Sequence, residues 1–204
     1  MDKQLQEKRK KIICELLQDE IYIPMKEKEM AAFLQVSKED REDFHELLDE
    51  LLREGKIDIT ERGKYVKPGK NMLKGIFISN ARGFGFVEIE GMETDLFIPE
   101  EYVNGAFHND TVQVRLLEEK SGKRQEAEVI RILSRGTTQV VGTFQKGRNF
   151  GFVVPDNMKL ATDIFIPIEW SKGAMDGHKV VVDLTSYGDE RKSPEGKVTE
   201  ILGH

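Results

Sequence analysis

Arg82-Gly83-Phe84-Gly85-Phe86-Val87 and, 66 residues further on, Arg148-Asn149-Phe150-Gly151-Phe152-Val153 are the stretches that decide the fold. Residues two apart on a strand share a side, so Phe84 and Phe86 face one way while Gly83, Gly85 and Val87 face the other. Rings turned inward would leave the outer side nearly bare, so Val87 is assigned to the interior and both rings to the exterior. In Leu96-Phe97-Ile98, burying the aliphatic pair likewise turns Phe97 outward, and Phe150, Phe152 and Phe165 repeat the arrangement. Three outward rings on neighbouring strands make a platform for unpaired bases, whose stacking is worth about 1–3 kcal/mol each. Phe144 lies between Thr143 and Gln145, so its ring and that of Phe77 are expected in the core. Tyr102 and Trp170 are expected to plug barrel ends.

Working outward, the two stretches belong to a longer repeat. Gly75-Ile76-Phe77, Asp95-Leu96-Phe97-Ile98-Pro99, Gly105-Ala106 and Val112-Gln113-Val114 recur as Gly142-Thr143-Phe144, Asp163-Ile164-Phe165-Ile166-Pro167, Gly173-Ala174 and Val180-Val181-Val182. The offset stays between 66 and 68 residues. Each copy closes with a similar strand, Ala127 to Leu133 and Lys197 to Leu202. Short alternating runs broken by glycine indicate β structure, and about five strands in so short a span suit a small closed barrel of the OB type.

Before Lys70 the periodicity is helical. Leu5, Ile12, Ile13, Leu16 and Leu17 mark a helix from Gln4 to about Asp19, and Met30, Phe33 and Leu34 form the expected inner face of a second over Lys26–Leu34. Ser37 with Asp40 reads as a capping box opening a third helix, along which Phe44, Leu47, Leu48, Leu51 and Leu52 recur until Gly55. Ile57–Ile59 and Tyr65–Val66 flank a turn at Glu61-Arg62-Gly63. The resulting expectation is an α+β multidomain chain: a winged helix-turn-helix over 1–69, then OB-fold barrels over 70–135 and 136–204.

Lys and Arg total 31 against 37 Asp and Glu, a net charge of −6, which excludes a globally basic binder and makes charge a local question. No acid occurs from Arg62 through Val87, a stretch carrying Arg62, Lys64, Lys67, Lys70, Lys74 and Arg82. Val129 through Pro155 is also acid-free and carries Arg131, Arg135, Lys146 and Arg148. Both end in a Phe-Gly-Phe strand, which makes Lys74, Arg82, Lys146 and Arg148 the candidate phosphate contacts. Lys67 and Lys70 flank Pro68-Gly69 and read as linker. The third helix instead carries Glu39, Asp40, Glu42, Asp43, Glu46, Asp49 and Glu50, which argues against reading duplex DNA.

Catalytic motifs are not found. His45, His108, His178 and His204 are scattered, Cys14 is the one cysteine, and there is no phosphate-loop sequence. Asp95 and Asp163 occupy matching positions, one per barrel, without a second carboxylate nearby in sequence to hold Mg²⁺. A lone cysteine excludes an internal disulfide, and no apolar run approaches the roughly 18 residues that cross a bilayer. A cytoplasmic chain with no membrane partner and no export signal is expected.

The runs from Arg82 to Val87 and from Leu96 to Ile98 resemble the two RNA-binding motifs of cold-shock domains, as do Arg148 to Val153 and Ile164 to Ile166. The family's histidine after the second motif is Pro99 and Pro167 here, and its first-strand tryptophan is missing from both copies. The order winged helix, cold-shock domain, cold-shock domain resembles the N-terminal region of bacterial ribonuclease R, of the RNase II/RNB family. That resemblance implies a 3′-to-5′ exoribonuclease whose Mg²⁺ sits in a catalytic domain beginning where this sequence stops, at Gly203-His204. It implies a monomer that captures single-stranded RNA without cutting it, with no cofactor of its own and a winged helix touching structured RNA or protein. A stand-alone RNA chaperone or a translation or transcription accessory protein is the alternative.

Overall fold

The computed structural model describes residues 3–60, 62–69, 72–189 and 191–204. Glu61 of the expected turn and Lys70 of the basic stretch lie outside the described residues. The chain divides into two compact units, Met1–Met72 and Leu73–His204.

The first unit has the expected order of three helices and a hairpin: α1 (Lys3–Gln18), α2 (Glu27–Phe33), α3 (Arg41–Arg53), β1 (Asp58–Ile59) and β2 (Tyr65–Val66). Ile13, Leu17, Met30, Leu48, Leu51, Ile57 and Tyr65 form its interior. A buried lysine joins them at one edge. The Lys10 ammonium lies 2.8 Å from both Glu50 and Glu54, and these bonds push its pKa above the ordinary lysine value. The unit's last helix ends in a Schellman arrangement, with Lys56 N–H bonded to the Leu51 carbonyl and Gly55 at φ 69°.

Two expectations fail in this unit. Phe33 is 62% exposed. At 100° per residue the inward direction set by Met30, Ala31 and Leu34 leaves Phe33 well off to the side. The third helix begins at Arg41, with Asp40 at its N-cap making no side-chain cap bond, so Ser37 does not open it. Ser37 instead accepts the Asp40 N–H in a turn. A one-sided carboxylate cap does occur one helix earlier, where Glu29 accepts the Lys26 N–H at 2.7 Å.

The second unit holds both β repeats. In the first, β3 (Met72–Ser79), β4 (Gly85–Glu88), β5 (Leu96–Ile98), β6 (Thr111–Leu116) and β7 (Ala127–Ser134) form a sheet in the order β5-β4-β3-β6-β7. A bond from Phe97 N–H to the Gln125 carbonyl draws its edges together. In the second, β8 (Gln139–Lys146), β9 (Phe150–Pro155), β10 (Ile164–Pro167), β11 (Lys179–Ser186) and β12 (Glu195–Gly203) close into a barrel in the order β10-β12-β11-β8-β9. Its closing bond is the same one, from Phe165 N–H to the Pro194 carbonyl. This strand order, with the third strand meeting the fifth in parallel, is that of the OB fold.

Each repeat has its own core. Phe77, Val87, Leu96, Ile98, Val112 and Val114 fill the first, and Phe144, Val153, Ile164, Ile166, Val180 and Val182 the second. Phe77 and Phe144 are enclosed as expected, so truncating either to alanine would cost about 3–5 kcal/mol. Tyr102 packs against the first core as expected, but Trp170 is 37% exposed. Leu160 and Ile201 pack against the second core, and the indole stays outside.

Candidate nucleic-acid interface

The six outward rings gather into two triads. Register brings Phe86 on β4 directly opposite Phe97 on β5, and Phe84 completes the group from the residue before β4. Ring centroids lie 5.8 Å apart for Phe84–Phe86, 5.5 Å for Phe84–Phe97 and 5.7 Å for Phe86–Phe97. In the second barrel Phe152 faces Phe165, and Phe150 faces Pro167. The corresponding centroid distances are 5.6 Å for Phe150–Phe152, 5.8 Å for Phe150–Phe165 and 5.6 Å for Phe152–Phe165. None of the six joins a core, although the rings partly cover one another. Their mutual angles run from 34° to 89°, so each triad offers both ring faces and ring edges.

The glycine between the rings has a packing cause. Gly85 points inward onto the core Phe77 ring, and Gly151 onto the Phe144 ring; a Cβ at either position would collide with that ring. The Phe-Gly-Phe pattern therefore encodes two outer rings and room for one inner ring. In the sequence alone the inner position looks empty, because Phe77 and Phe144 lie on the preceding strand.

The candidate cations divide. Arg82 and Arg148 are exposed in the turns that lead into the first ring of each triad. Each turn is closed by a bond to the carbonyl of the first ring residue, from Asn80 N–H to Phe84 and, one residue tighter, from Gly147 N–H to Phe150. Lys146 is exposed and paired with Gly151, in register with the second triad but one step out of phase with its rings. Lys74 shares the outer side with Ile78, which pairs with Phe86, yet lies four residues along the strand and so roughly 13 Å away. The structure does not bring Lys74 beside the rings.

Two other basic residues of the acid-free stretches serve the scaffold. Arg131 donates to Gln113 at 3.0 Å. Arg135 turns into the junction between the barrels, donating to the buried Asp110 carboxylate at 2.7 Å while its guanidinium lies 4.0 Å from the centroid of Tyr187. Asp110 also accepts from the N–H groups of Phe107 and Gly136. Tyr187 packs edge-on against Phe107, and its hydroxyl donates to the Thr137 carbonyl at 2.6 Å. Ser79 Oγ donates to the Lys159 carbonyl, and Thr137 Oγ1 to the His108 carbonyl. Burial, and then Lys159, push the His108 pKa below its ordinary value.

Sequence reasoning missed two charged neighbours of the first triad. The Arg124 guanidinium lies 5.1 Å from the Phe86 centroid, brought there by the β6–β7 loop. Its signal was the basic run Lys120-Ser121-Gly122-Lys123-Arg124, which falls between acids and so outside the acid-free stretches. Glu100 arrives from the turn after β5, with its carboxyl against Gly83. Asp95 and Asp163 immediately precede β5 and β10. Among the described residues there is no group of three or more His, Cys, Asp or Glu that could hold a metal ion. No helix of the described residues is long and apolar enough to cross a membrane.

Residues 75–132 match the Ribonuclease B OB domain family, and residues 152–204 match the Cold shock domain family. The chain is 34% identical over 182 residues to ribonuclease R of Escherichia coli strain K12, a match covering 88% of this chain and 22% of that protein. It is 34% identical over 197 residues to ribonuclease R of Thermotoga maritima, covering 96% of this chain and 28% of that protein. It thus spans about a quarter of the length of these relatives. Among solved structures, RNase R of Mycoplasma genitalium in complex with ribose methylated single-stranded RNA is similar with a TM-score of 0.56 at 21% identity, covering 65% of this chain and 22% of that one. Yeast Ssd1, a pseudonuclease, is similar with a TM-score of 0.54 at 18% identity, covering 76% of this chain and 24% of that one. The two structural likenesses concern the fold.

Proposed function

We propose that this chain corresponds to the N-terminal region of ribonuclease R, to which it is 34% identical, and that it binds single-stranded RNA through the two phenylalanine triads. In the intact protein it guides a 3′ end toward a catalytic domain that degrades RNA from that end. Phe84, Phe86 and Phe97, then Phe150, Phe152 and Phe165, stack bases, while Arg82, Arg148 and Lys146 hold phosphates near them. Lys74 contributes only to a strand that continues along β3. The chain acts as a monomer in the cytoplasm.

The observation that supports this reading is the repetition of one triad, outside the core, at equivalent places on two barrels. The outer rings add nothing to either core, whereas nucleobases stack on them whatever their identity. We read the N-terminal helices and hairpin as a winged helix. Its third helix exposes Glu42 and Glu46, which suits a protein contact better than a phosphate backbone.

Replacing Phe84 and Phe150 together with alanine tests the platform. Each lost stack is worth about 1–3 kcal/mol, so affinity for a short poly(A) strand is expected to fall at least about tenfold at fixed salt. Unchanged affinity would remove the triads from the RNA path.

A further inference from the structure

Between the two barrels lies a cleft of about 250 Å³. The first barrel contributes Phe84, Asn80 and Glu100 to it, and the second contributes Leu160, Tyr187 and Lys192. Its volume falls below the roughly 300–1,000 Å³ typical of sites for drug-sized ligands, which points to a guest about the size of one nucleoside. Bonds across the junction hold the walls in place: Arg135 stacked on Tyr187, the Tyr187 hydroxyl on Thr137, and Ser79 on Lys159. The cleft is therefore preformed rather than assembled by its guest.

Phe84 belongs both to the first triad and to this cleft. A strand lying on the triad consequently has a base at the cleft's mouth. The Glu100 carboxyl lies against Gly83, the residue before Phe84, and Glu100 and Phe84 line the same cleft. A carboxylate accepts hydrogen bonds and offers none. Guanine presents two adjacent donors on its Watson–Crick edge, N1–H and the 2-amino group, and fits a carboxylate at both oxygens. Adenine, cytosine and uracil each set a donor beside an acceptor there, and the acceptor would face a negative oxygen. Stacked single-stranded bases are commonly read on this edge.

Resting on the stacking reading above, we propose that the cleft is a guanine site for single-stranded RNA. The base lies on Phe84 and donates N1–H and its 2-amino group to Glu100, while the Lys192 ammonium meets a phosphate of the same strand. The second barrel has no counterpart, since Ile168 follows Pro167 where Glu100 follows Pro99.

The test compares the intact chain with Glu100→Gln, using fluorescence anisotropy and three labelled RNA strands about twelve nucleotides long. One is all adenosine, one carries a single central guanosine, and one carries inosine there, which keeps N1–H but lacks the 2-amino group. For the unaltered chain the guanosine strand is expected to bind about tenfold tighter than the adenosine strand, with inosine between them. In Glu100→Gln the guanosine-to-adenosine ratio falls to about one or below, because an amide pairs well with adenine. Taking the ratio cancels the general effect of removing a negative charge near phosphates. A ratio near one in the unaltered chain, or one that survives Glu100→Gln, overturns the guanine site and leaves the stacking reading standing. Failure of all three strands to bind would overturn both.

Discussion

The two barrels share a strand order, a closing bond and an aromatic triad, while what surrounds each triad has diverged. Around the first stand Arg124 over Phe86 and Glu100 against Gly83; around the second, Ser193, which like Arg124 precedes the acceptor of the closing bond, and Ile168 occupy the matching positions. The ends of the barrels differ more. Asp110 and His178 occupy equivalent turns, each giving its backbone carbonyl to the N–H of the core phenylalanine. The Asp110 side chain is buried under Arg135, whereas His178 accepts one bond from Met175 N–H and packs against the His204 ring. What the fold needs has been kept twice, and what one barrel needs from its neighbour has been kept once.

That comparison can be broken most decisively at the turns. Asp110→Ala removes three hydrogen bonds and leaves the N–H groups of Phe107 and Gly136 without their acceptor, which should cost about 2–3 kcal/mol and lower the melting midpoint of the barrel unit by roughly 10 °C. His178→Ala should cost under about 1 kcal/mol. Equal losses in thermal unfolding would mean that the junction contributes nothing special. Gly85→Ala and Gly151→Ala probe the shared part, since both force a methyl group into a core ring. Each should destabilise by about 1–3 kcal/mol, to a similar degree in chemical denaturation. A smaller effect is expected from the cation over the rings. Arg124→Ala should weaken RNA binding about threefold, and Ser193→Arg should strengthen it by a similar factor, in line with about 0.5–1 kcal/mol for an exposed cation–π contact.

The smallest effect concerns pH. Burial holds the folded His108 below its ordinary pKa, so on acidification the unfolded chain takes up that proton first. The associated stability is complete above about pH 6.5 and declines as pH falls through the folded value. His108→Asn keeps an acceptor for the Ser79 N–H and should flatten this part of the stability–pH curve between about pH 7 and 5. An unchanged slope would assign the titration to another group.

Much of this was legible in the sequence because it repeats or is local. The alternation of Phe-Gly-Phe-Val with Leu-Phe-Ile settles which side each ring takes, and the equal spacing of the copies gives two barrels. What stayed hidden depends on partners distant in the chain. Arg135 reads as another cation of an acid-free stretch until Asp110 and Tyr187 come to meet it, the latter 52 residues later. Arg124 and Glu100 reach the first triad from loops whose paths periodicity does not define. Phe33 shows the opposite limit: its apolar type suggests the inner face, but the direction set by the buried Met30 and Ala31 leaves it to one side, exposed.

The Tyr187 hydroxyl on the Thr137 carbonyl means that the connector linking the repeats is held by a side chain from within the second one. Dividing the gene at that connector would leave Phe107 without its aromatic neighbour and Tyr187 without its acceptor. Each half would lose a contact that it cannot rebuild alone.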